Sequence, residues 1–308
     1  MAVKIENLVK RYGNHIVLDH FCMEAQNGEI FGVFGTNGSG KTTMMDCLMG
    51  ISSYDKGNIM IDDEQLTSKN LKLKQILGFV PQEISVFYEL TVYENLDYFC
   101  SLYISNKKTR KAYVDEAIEL LHLERIQNYY PKNLSFSELH KLNFGCGIVH
   151  NPKVLFVDEL FIGVDTETKE ILLKSVKKLN EQGMTIIYAS NNLEELANLC
   201  SRFVILFQGK ALITASLEDM NAFVGEEEKV VIEVYRMSLA IIEEIEKMAG
   251  VTYVNCIRNQ LTIKSKKGKN ILPRILHFLE EKEVPFGSIY SQAPTLKDAY
   301  YKLTGEGL

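Results

Sequence analysis

The sequence predicts an α/β fold with a largely parallel sheet covered by helices, followed by a smaller α+β domain. Three observations favour this architecture. An apolar run at residues 29–34 leads into a glycine-rich loop, and a second run at 153–157 ends in two carboxylates. Segments with helical periodicity alternate with these runs, as expected of βαβ units. Beyond residue 226 the pattern changes to short strands and three short helices.

The N-terminal part of the chain is predicted to form short strands and turns around one helix. Residues 3–6 alternate apolar and polar side chains, which is typical of a half-buried strand. Asn27-Gly28 is a turn signal. We expect a helix at 44–49, directly after the glycine-rich loop, and another strand at 57–62.

A helical insertion is predicted at about residues 83–150. Apolar residues recur at helical spacing from Thr91 to about Leu123, and the polar run at 105–108 interrupts them as a loop would. We therefore expect helices here inside a frame of alternating strands and helices.

After the insertion the sequence returns to alternating strands and helices. The buried strand at 153–157 is followed by a helix at 166–182 and a strand at 185–189. A parallel sheet between helices is the simplest topology for this order.

The acidic run at 226–229 separates a second domain. We expect an N-terminal domain at 1–222 and a C-terminal domain at 226–308. The C-terminal pattern predicts the order βαββαβ with a final helix at 295–304, which suits a small ferredoxin-like α+β domain.

Composition excludes several classes of protein. The chain has 308 residues and a net charge of −6, without a basic stripe, so nucleic acid is not an expected partner. Its six cysteines are scattered, without metal-ligand or disulfide-framework spacing, which indicates reduced thiols in the cytoplasm. No run of 18 apolar residues and no signal peptide is found, so we expect a cytoplasmic protein unless a membrane partner holds it.

The glycine-rich loop matches the phosphate-binding motif G-x-x-x-x-G-K-[ST]. It consists of Gly35, Thr36, Asn37, Gly38, Ser39, Gly40, Lys41, Thr42 and Thr43. Glycines let successive backbone N–H groups converge on phosphates, and the helix that follows points its positive end at them. Lys41 would add a cation for the β- and γ-phosphates, and Thr42 a hydroxyl ligand for Mg²⁺. The loop therefore predicts the binding of a nucleotide with Mg²⁺.

Two adjacent carboxylates, Asp158 and Glu159, end the second buried strand. In parallel sheets, side chains at the carboxyl ends of strands form the site. The pattern therefore indicates a buried parallel strand that ends at a site. The alternative is that the pair merely ends a strand.

With these motifs, residues 2–220 resemble the ATP-binding cassette (ABC) subunits of membrane transporters, a branch of the P-loop NTPases. The resemblance rests on five elements in the right order: the phosphate loop, Arg11-Tyr12-Gly13 as the aromatic loop, Phe79-Val80-Pro81-Gln82 as the glutamine loop, Asp158-Glu159 as the Walker B pair and Gly163-Val164-Asp165 as the D-loop. The tail at 293–305 is similar to that of cassettes that serve ABC-2 export permeases, including exporters of peptide antibiotics.

The resemblance implies a mixed sheet with a helical subdomain and a role for each matching residue. Tyr12 would stack on adenine, Asp158 would hold the hydration shell of Mg²⁺, and Glu159 would polarise the attacking water. Gln82 would lie near the same water and Mg²⁺, together with Thr42 and Asp158. The helical insertion would dock a membrane subunit. The alternatives are that Tyr12 is a surface turn residue and that Gln82 is a solvated loop residue.

The sequence departs from the family pattern in three places. Where the family has Leu-Ser-Gly-Gly-Gln, whose Ser contacts the γ-phosphate of the opposite subunit, this chain has Leu134-Ser135-Phe136-Ser137-Glu138. Asn191 stands where the family has His, so it can donate a hydrogen bond to a phosphate but cannot become cationic. Leu160-Phe161-Ile162 replaces Pro-Thr-Ser and is expected to put apolar residues at a polar interface.

The sequence thus predicts the ATP-binding and ATP-hydrolysing subunit of an ABC exporter, held at the inner face of the cell membrane by a separate permease. A second cassette, identical or different, would complete the dimer. Slow hydrolysis is expected from the departures, unless they are tolerated drift. The alternative is a regulatory subunit that binds nucleotide with little or no hydrolysis. A soluble cassette acting on ribosomes or DNA is a weaker alternative, because those proteins usually carry two cassettes or a long coiled coil.

Overall fold

The chain divides into two compact units, Met1–Ser216 and Leu217–Leu308. The computed structural model describes residues 2–67, 70–224, 227–266, 271–292 and 296–305. The first unit ends before residue 222, where the sequence had placed the boundary. Helix α8 (Leu217–Val224) belongs to the second unit, because it packs against helix α11 (Leu296–Thr304) of that unit.

A six-stranded sheet forms the centre of the first unit. Its strands lie in the order β10 (Lys210–Ser216), β9 (Arg202–Phe207), β3 (Ile30–Phe34), β8 (Thr185–Ser190), β7 (Val154–Asp158) and β6 (Leu77–Val80). All neighbours pair in parallel except β9 and β10, which form an antiparallel hairpin. The three central strands are buried along their whole length, which explains their continuous apolar sequences. The predicted α/β fold with a mixed sheet is confirmed.

A second, antiparallel sheet packs over one helix of the first unit. Its order is β2 (His15–Ala25), β1 (Val3–Tyr12), β4 (Lys56–Ile61) and β5 (Glu64–Gln65). Helix α1 (Lys41–Leu48) shares one apolar core with both sheets. The sequence did not predict β2, because bulges shift its pairing with β1 at three places and break the alternation of apolar and polar residues.

The helical insertion contains three main helices. After a short helix α2 (Leu71–Lys74) and strand β6, the chain forms α3 (Val92–Ser101), α4 (Lys107–Leu120) and α5 (Phe136–Ile148), with a 3-10 turn at Pro131–Asn133. Helix α5 lies directly on β6. A Cβ atom on Gly147 would come within 2.6 Å of Val80 Cγ2, so only glycine allows this approach.

Two further helices complete the first unit, α6 (Thr166–Glu181) after β7 and α7 (Leu193–Leu199) after β8. Helix α6 was predicted almost at these bounds. None of the helices in the described parts of the chain combines the length and apolar character needed to cross a membrane.

The second unit has the predicted ferredoxin-like order of elements. Strands β11 (Glu227–Val234), β12 (Val251–Ile257), β13 (Gln260–Lys266) and β14 (Phe286–Gln292) alternate with α9 (Leu239–Glu246) and α10 (Leu272–Glu281). The antiparallel sheet has the strand order β12-β13-β11-β14. Ala293, Pro294 and Thr295, which begin the tail that resembles export cassettes, lie outside the described residues; α11 covers most of the rest.

A buried asparagine, Asn95 on α3, fixes the chain that leads into this helix. Its Oδ1 accepts from the Phe87 N–H at 2.8 Å, and its Nδ2 donates to the carbonyls of Phe87, Leu90 and Thr91. The side chain is fully buried. One amide thereby bonds four backbone groups of residues 87–91, among them the Thr91 carbonyl, which also accepts the first hydrogen bond of α3 from the Asn95 N–H at 2.9 Å.

We expect Asn95→Ala to lower the free energy of unfolding by about 3 kcal/mol, because it leaves buried donors and acceptors unpaired. Asn106→Ala is the matched control: Asn106 caps α4 at an exposed position, and its loss should cost only about 1 kcal/mol. Urea unfolding of both variants measures the difference. If both variants lose the same free energy of unfolding, the burial of Asn95 adds nothing to the effect of removing an asparagine that bonds to backbone groups.

Candidate functional site

The phosphate-binding loop joins β3 to α1 and has the backbone that its glycines allow. Gly38 and Gly40 adopt positive φ values of 80° and 111°, a region that other residues rarely enter. A Cβ atom on Gly35 would lie 2.9 Å from the Leu206 carbonyl oxygen. The predicted motif therefore forms a tight loop that ends at the N-terminus of a helix.

Lys41 lies at the centre of the site with its charge already engaged. Its Nζ donates to the carbonyl oxygens of Gly35 at 2.8 Å and Thr36 at 3.3 Å. The same Nζ lies 3.1 Å from Glu159 Oε1, and both side chains are only 5% exposed. The structure thus brings the predicted phosphate-binding cation and the predicted catalytic carboxylate into one buried ion pair.

Asp158 and Thr42 form a second contact beside this pair. The Thr42 hydroxyl donates to Asp158 Oδ2 at 2.9 Å. Asp158 is buried, and among the described residues its Oδ1 has no hydrogen-bond partner. Burial, with the nearby negative charge of Glu159, raises the pKa of Asp158 against the opposing hydrogen bond from Thr42.

The donors at this place fit a magnesium ion. An unpaired carboxylate oxygen next to a hydroxyl supplies the oxygen ligands that Mg²⁺ prefers. Within the described ranges no three His, Cys, Asp or Glu residues cluster as a metal site. Mg²⁺ typically takes its remaining ligands from phosphate and water, so this sparse set is appropriate for it.

Glu159 follows β7 in a left-handed turn, with φ at 50°. Its N–H donates to the Ala189 carbonyl of β8 at 3.0 Å. The turn directs the chain out of the strand at the point where Lys41 meets the carboxylate. An uncommon backbone conformation is therefore held at a site residue by pairing with the next strand.

Gln82 lies at the same edge of the sheet. It comes two residues after Val80, which pairs with Val157 next to Asp158. Its side chain is exposed and makes no hydrogen bond to any described residue. The pairing thus puts Gln82 just beyond the edge of the sheet at which the strand with Asp158 ends, and its exposed amide is available to a ligand.

Asn191 reaches the phosphate loop from β8. Its Nδ2 donates to Asn37 Oδ1 at 3.2 Å, and both side chains are exposed. Beside it, Glu195 accepts hydrogen bonds from Lys169, Tyr188 and Ser190. The sequence analysis missed the Glu195 network, because only the fold brings α6, β8 and α7 together.

Tyr12 ends β1 and is 52% exposed. The Lys10 ammonium lies 4.7 Å from the centre of its ring. The neighbouring strand β2 reaches the phosphate loop, since a Cβ atom on Gly40 would lie 3.0 Å from the Val17 carbonyl oxygen. The hairpin of β1 and β2 therefore carries an exposed aromatic ring and lies next to the phosphate-binding loop.

Ser135 contacts its own helix rather than the phosphate loop. It caps α5: Glu138 N–H donates to Ser135 Oγ at 3.3 Å, and Glu138 Oε2 accepts from the Ser135 N–H at 2.7 Å and hydroxyl at 2.9 Å. Both partners belong to a capping box. In the family, this helix N-terminus contacts a phosphate. In this chain, the Glu138 carboxylate occupies it.

The residues after Ser135 pack against the D-loop. The Ser137 hydroxyl accepts from the Asp165 N–H at 3.1 Å. The ring of Phe136 is 52% exposed and covers Gly163, whose Cβ position lies 2.9 Å from it.

The expectation for Leu160-Phe161-Ile162 was wrong for two of the three residues. Leu160 and Phe161 are buried, and only Ile162 is exposed. Phe161 packs against the ring of Tyr188, with 5.7 Å between ring centres. The first two side chains belong to the interior because the chain turns inward after Glu159.

Comparison with known proteins gives a consistent result. Residues 18–161 match the family model described as ABC transporter. A linearmycin resistance ATP-binding protein of Bacillus subtilis is 28% identical over 99% of both chains. A lipopolysaccharide export system ATP-binding protein of Haemophilus influenzae is 31% identical over 70% of this chain and 90% of its own. Proteins named for import of methionine or sulfate/thiosulfate also match.

Solved structures share the fold of the first unit. A dimeric ATP-binding cassette in a post-hydrolysis state, bound to ADP and Pi, superposes with a TM-score of 0.64 at 24% identity. The match covers 70% of this chain and 98% of that one. The length of this match, 70% of the chain, agrees with the residues 2–220 that resemble a cassette in sequence.

We expect Lys41→Ala to weaken ATP binding by about 100-fold, because charge-assisted hydrogen bonds to phosphate contribute several kcal/mol together. Titration of purified protein with a fluorescent ATP analogue measures this affinity. Lys174→Ala, which removes an exposed lysine paired only with Glu170, is the control and should bind normally. Unchanged affinity in Lys41→Ala would rule out the loop as the nucleotide site.

Proposed function

The chain belongs to the ABC transporter family as an ATP-binding subunit, and we propose that it is the hydrolysing subunit of an exporter. ATP and Mg²⁺ binding would close a dimer of cassettes, and hydrolysis would reopen it. The proposal rests chiefly on one observation: Lys41, Thr42, Asp158 and Glu159 meet in hydrogen-bonding range at the carboxyl edge of the sheet.

Each of these groups has a separate task in the proposed reaction. Lys41 and the N–H groups of residues 35–43 would hold the phosphates, and the positive end of α1 adds to their field. Glu159 would accept a hydrogen bond from the attacking water and polarise it. Thr42, Asp158 and Gln82 would hold Mg²⁺, which supplies charge neutralisation at the β- and γ-phosphates when bound.

Two exposed residues would complete the contacts with the nucleotide. Tyr12 presents a free ring surface on which an adenine can stack. Asn191 already reaches the phosphate loop through Asn37, so its amide could donate to a γ-phosphate oxygen by a small movement. A neutral amide would provide this contact without general acid or base chemistry.

The export direction is supported by the tail at 293–305 and by two relatives. One is named for resistance to linearmycin and the other for lipopolysaccharide export. The relatives named for import align over at most 81% of this chain, whereas the resistance protein aligns over 99%. We therefore place the chain with export cassettes, including the ABC-2 type that the tail resembles.

A separate permease would contact the helical insertion. Phe87, Tyr98 and Phe99 form an aromatic cluster there, with Phe87 and Tyr98 ring centres 4.8 Å apart and both rings exposed. Exposed clustered aromatics are typical of protein interfaces. Through this contact the chain would lie at the inner face of the cell membrane.

The Ser135–Glu138 capping box supports the second candidate function, a regulatory subunit with little hydrolysis. In a cassette dimer, Ser135 would face the γ-phosphate held by the other subunit. The Glu138 carboxylate at this helix N-terminus would repel that phosphate. The exposed ring of Phe136 would also keep the two backbones apart where the family has glycine.

We expect Glu159→Gln to lower ATP turnover by about 100-fold or more and to leave ATP affinity nearly unchanged, since an amide cannot take up a proton. Phosphate release and nucleotide titration measure the two effects. Glu167→Gln, an exposed change in the first turn of α6, is the control. If the wild-type chain, with its membrane partner, binds ATP without turnover, the regulatory function is the correct one.

We expect Glu138→Gln to raise turnover or ATP-dependent dimerisation several-fold, because the amide keeps the cap but removes the charge that faces the opposing phosphate. Glu94→Gln is the matched control, since Thr91 and Glu94 form the same capping box on α3. Dimerisation is measured by light scattering with ATP in a Glu159→Gln background. An equal response of both variants would exclude a role of Glu138 charge at the dimer interface.

A further inference from the structure

A second buried asparagine, Asn143 on α5, holds the start of the segment that carries Gln82. Its Nδ2 donates to the Pro81 carbonyl at 3.0 Å, and its Oδ1 accepts from the Ser85 N–H at 2.9 Å. The side chain is only 3% exposed. Both polar atoms of one amide are thus committed to backbone groups on either side of Gln82.

Helix α5 is itself fixed at several points. Near its N-terminus, Ser137 accepts a hydrogen bond from Asp165 of the D-loop. Near its C-terminus, Gly147 approaches β6 so closely that a Cβ would lie 2.7 Å from the Phe79 carbonyl oxygen. Asn143 lies between these two contacts, so the loop after β6 is attached to a helix that does not easily shift along the sheet.

The segment 81–91 therefore has two supports of the same chemical kind. Asn143 holds residues 81 and 85 from α5, and Asn95 holds residues 87, 90 and 91 from α3. Gln82 lies between residues 81 and 85, which bond to Asn143, and outside residues 87–91, which bond to Asn95. A buried amide is costly unless both its atoms are satisfied, and here both are.

We propose that Asn143 is a positioning residue for ATP hydrolysis, which sets Gln82 relative to the site and makes the loop at 81–85 move together with α5. The inference rests on the proposed function. It adds a physical link between Gln82, at the nucleotide, and Ser135, at the start of α5. Hydrogen bonding at two points fixes both the place and the orientation of the loop, as catalytic positioning requires.

The kinetic test compares Asn143→Ala, Gln82→Ala and the double variant. We expect Asn143→Ala to lower kcat about 10-fold with little change in the KM for ATP, because Gln82 is misplaced while the phosphate loop is intact. The double variant should be no slower than Gln82→Ala alone, since both changes remove the same contribution.

Asn95→Ala is the matched control, because it removes a buried amide of the same insertion that does not touch residues 81–85. Its effect should add to that of Gln82→Ala. Additive effects of Asn143→Ala and Gln82→Ala, or an unchanged kcat in folded Asn143→Ala, would overturn the inference and leave the ATPase assignment intact. Thermal unfolding curves of all variants identify a temperature at which each is folded, and the kinetics are compared at that temperature.

Hydrogen exchange of the wild-type chain provides a second measurement that needs no variant. The Ser85 amide, which Asn143 protects, and the amides of α5 should change their exchange rates together when ATP is added. Independent changes would overturn the inference. A wild-type chain that binds no ATP would overturn the proposed function and this inference together.

Discussion

The structure depends on holding one lysine and two carboxylates in the interior at the carboxyl edge of a parallel sheet. Burial of such charges is unfavourable unless each finds a partner. The Lys41 ammonium forms an ion pair with Glu159 and donates hydrogen bonds to two loop carbonyls, and Asp158 accepts a hydrogen bond from the Thr42 hydroxyl. These contacts require β3, β7 and β8 to be in register, with Phe34 opposite Ser190 and Asp158 opposite Ala189. The apolar strands, the tight loop and the turn at residue 159 together hold these three charged side chains in place.

The N-terminus of α5 shows how one carboxylate changes the chemistry of a helix start. A helix start offers unpaired N–H groups and a positive field, which suit an anion. In this chain Glu138 supplies that anion internally, through the same capping box that Thr91 and Glu94 form on α3. The cap stabilises the helix. In the proposed dimer it would leave less positive potential for a phosphate on the opposing subunit, so helix stability and phosphate binding would have opposing requirements at this position.

The sequence predicted the parts of the site that local chemistry determines. The phosphate loop follows from a motif whose spacing fixes its geometry, and the strand ending in Asp158 follows from a continuous apolar run. Asn191 was singled out only through the resemblance to the family, and its role stays a prediction. Parts that depend on tertiary contacts were missed. Asn143 meets residues 81 and 85 across about 60 positions of the chain, and the bulged strand β2 and the inward turn of Leu160 and Phe161 have no local signal. The domain boundary was displaced because α8 is assigned by its packing and not by its sequence.

In the proposed reaction, the Lys41–Glu159 pair would connect ATP binding to the activation of water. The ammonium of Lys41 lies 3.1 Å from the Glu159 carboxylate and balances its charge. A γ-phosphate that binds Lys41 competes for the same ammonium, and its greater negative charge shifts the cation towards the phosphate. Glu159 is then left with a carboxylate that needs a new hydrogen-bond donor in a site with little solvent, and a water molecule is the donor that fits. In the proposed mechanism, binding of ATP would thereby leave Glu159 in need of the hydrogen bond that the attacking water donates.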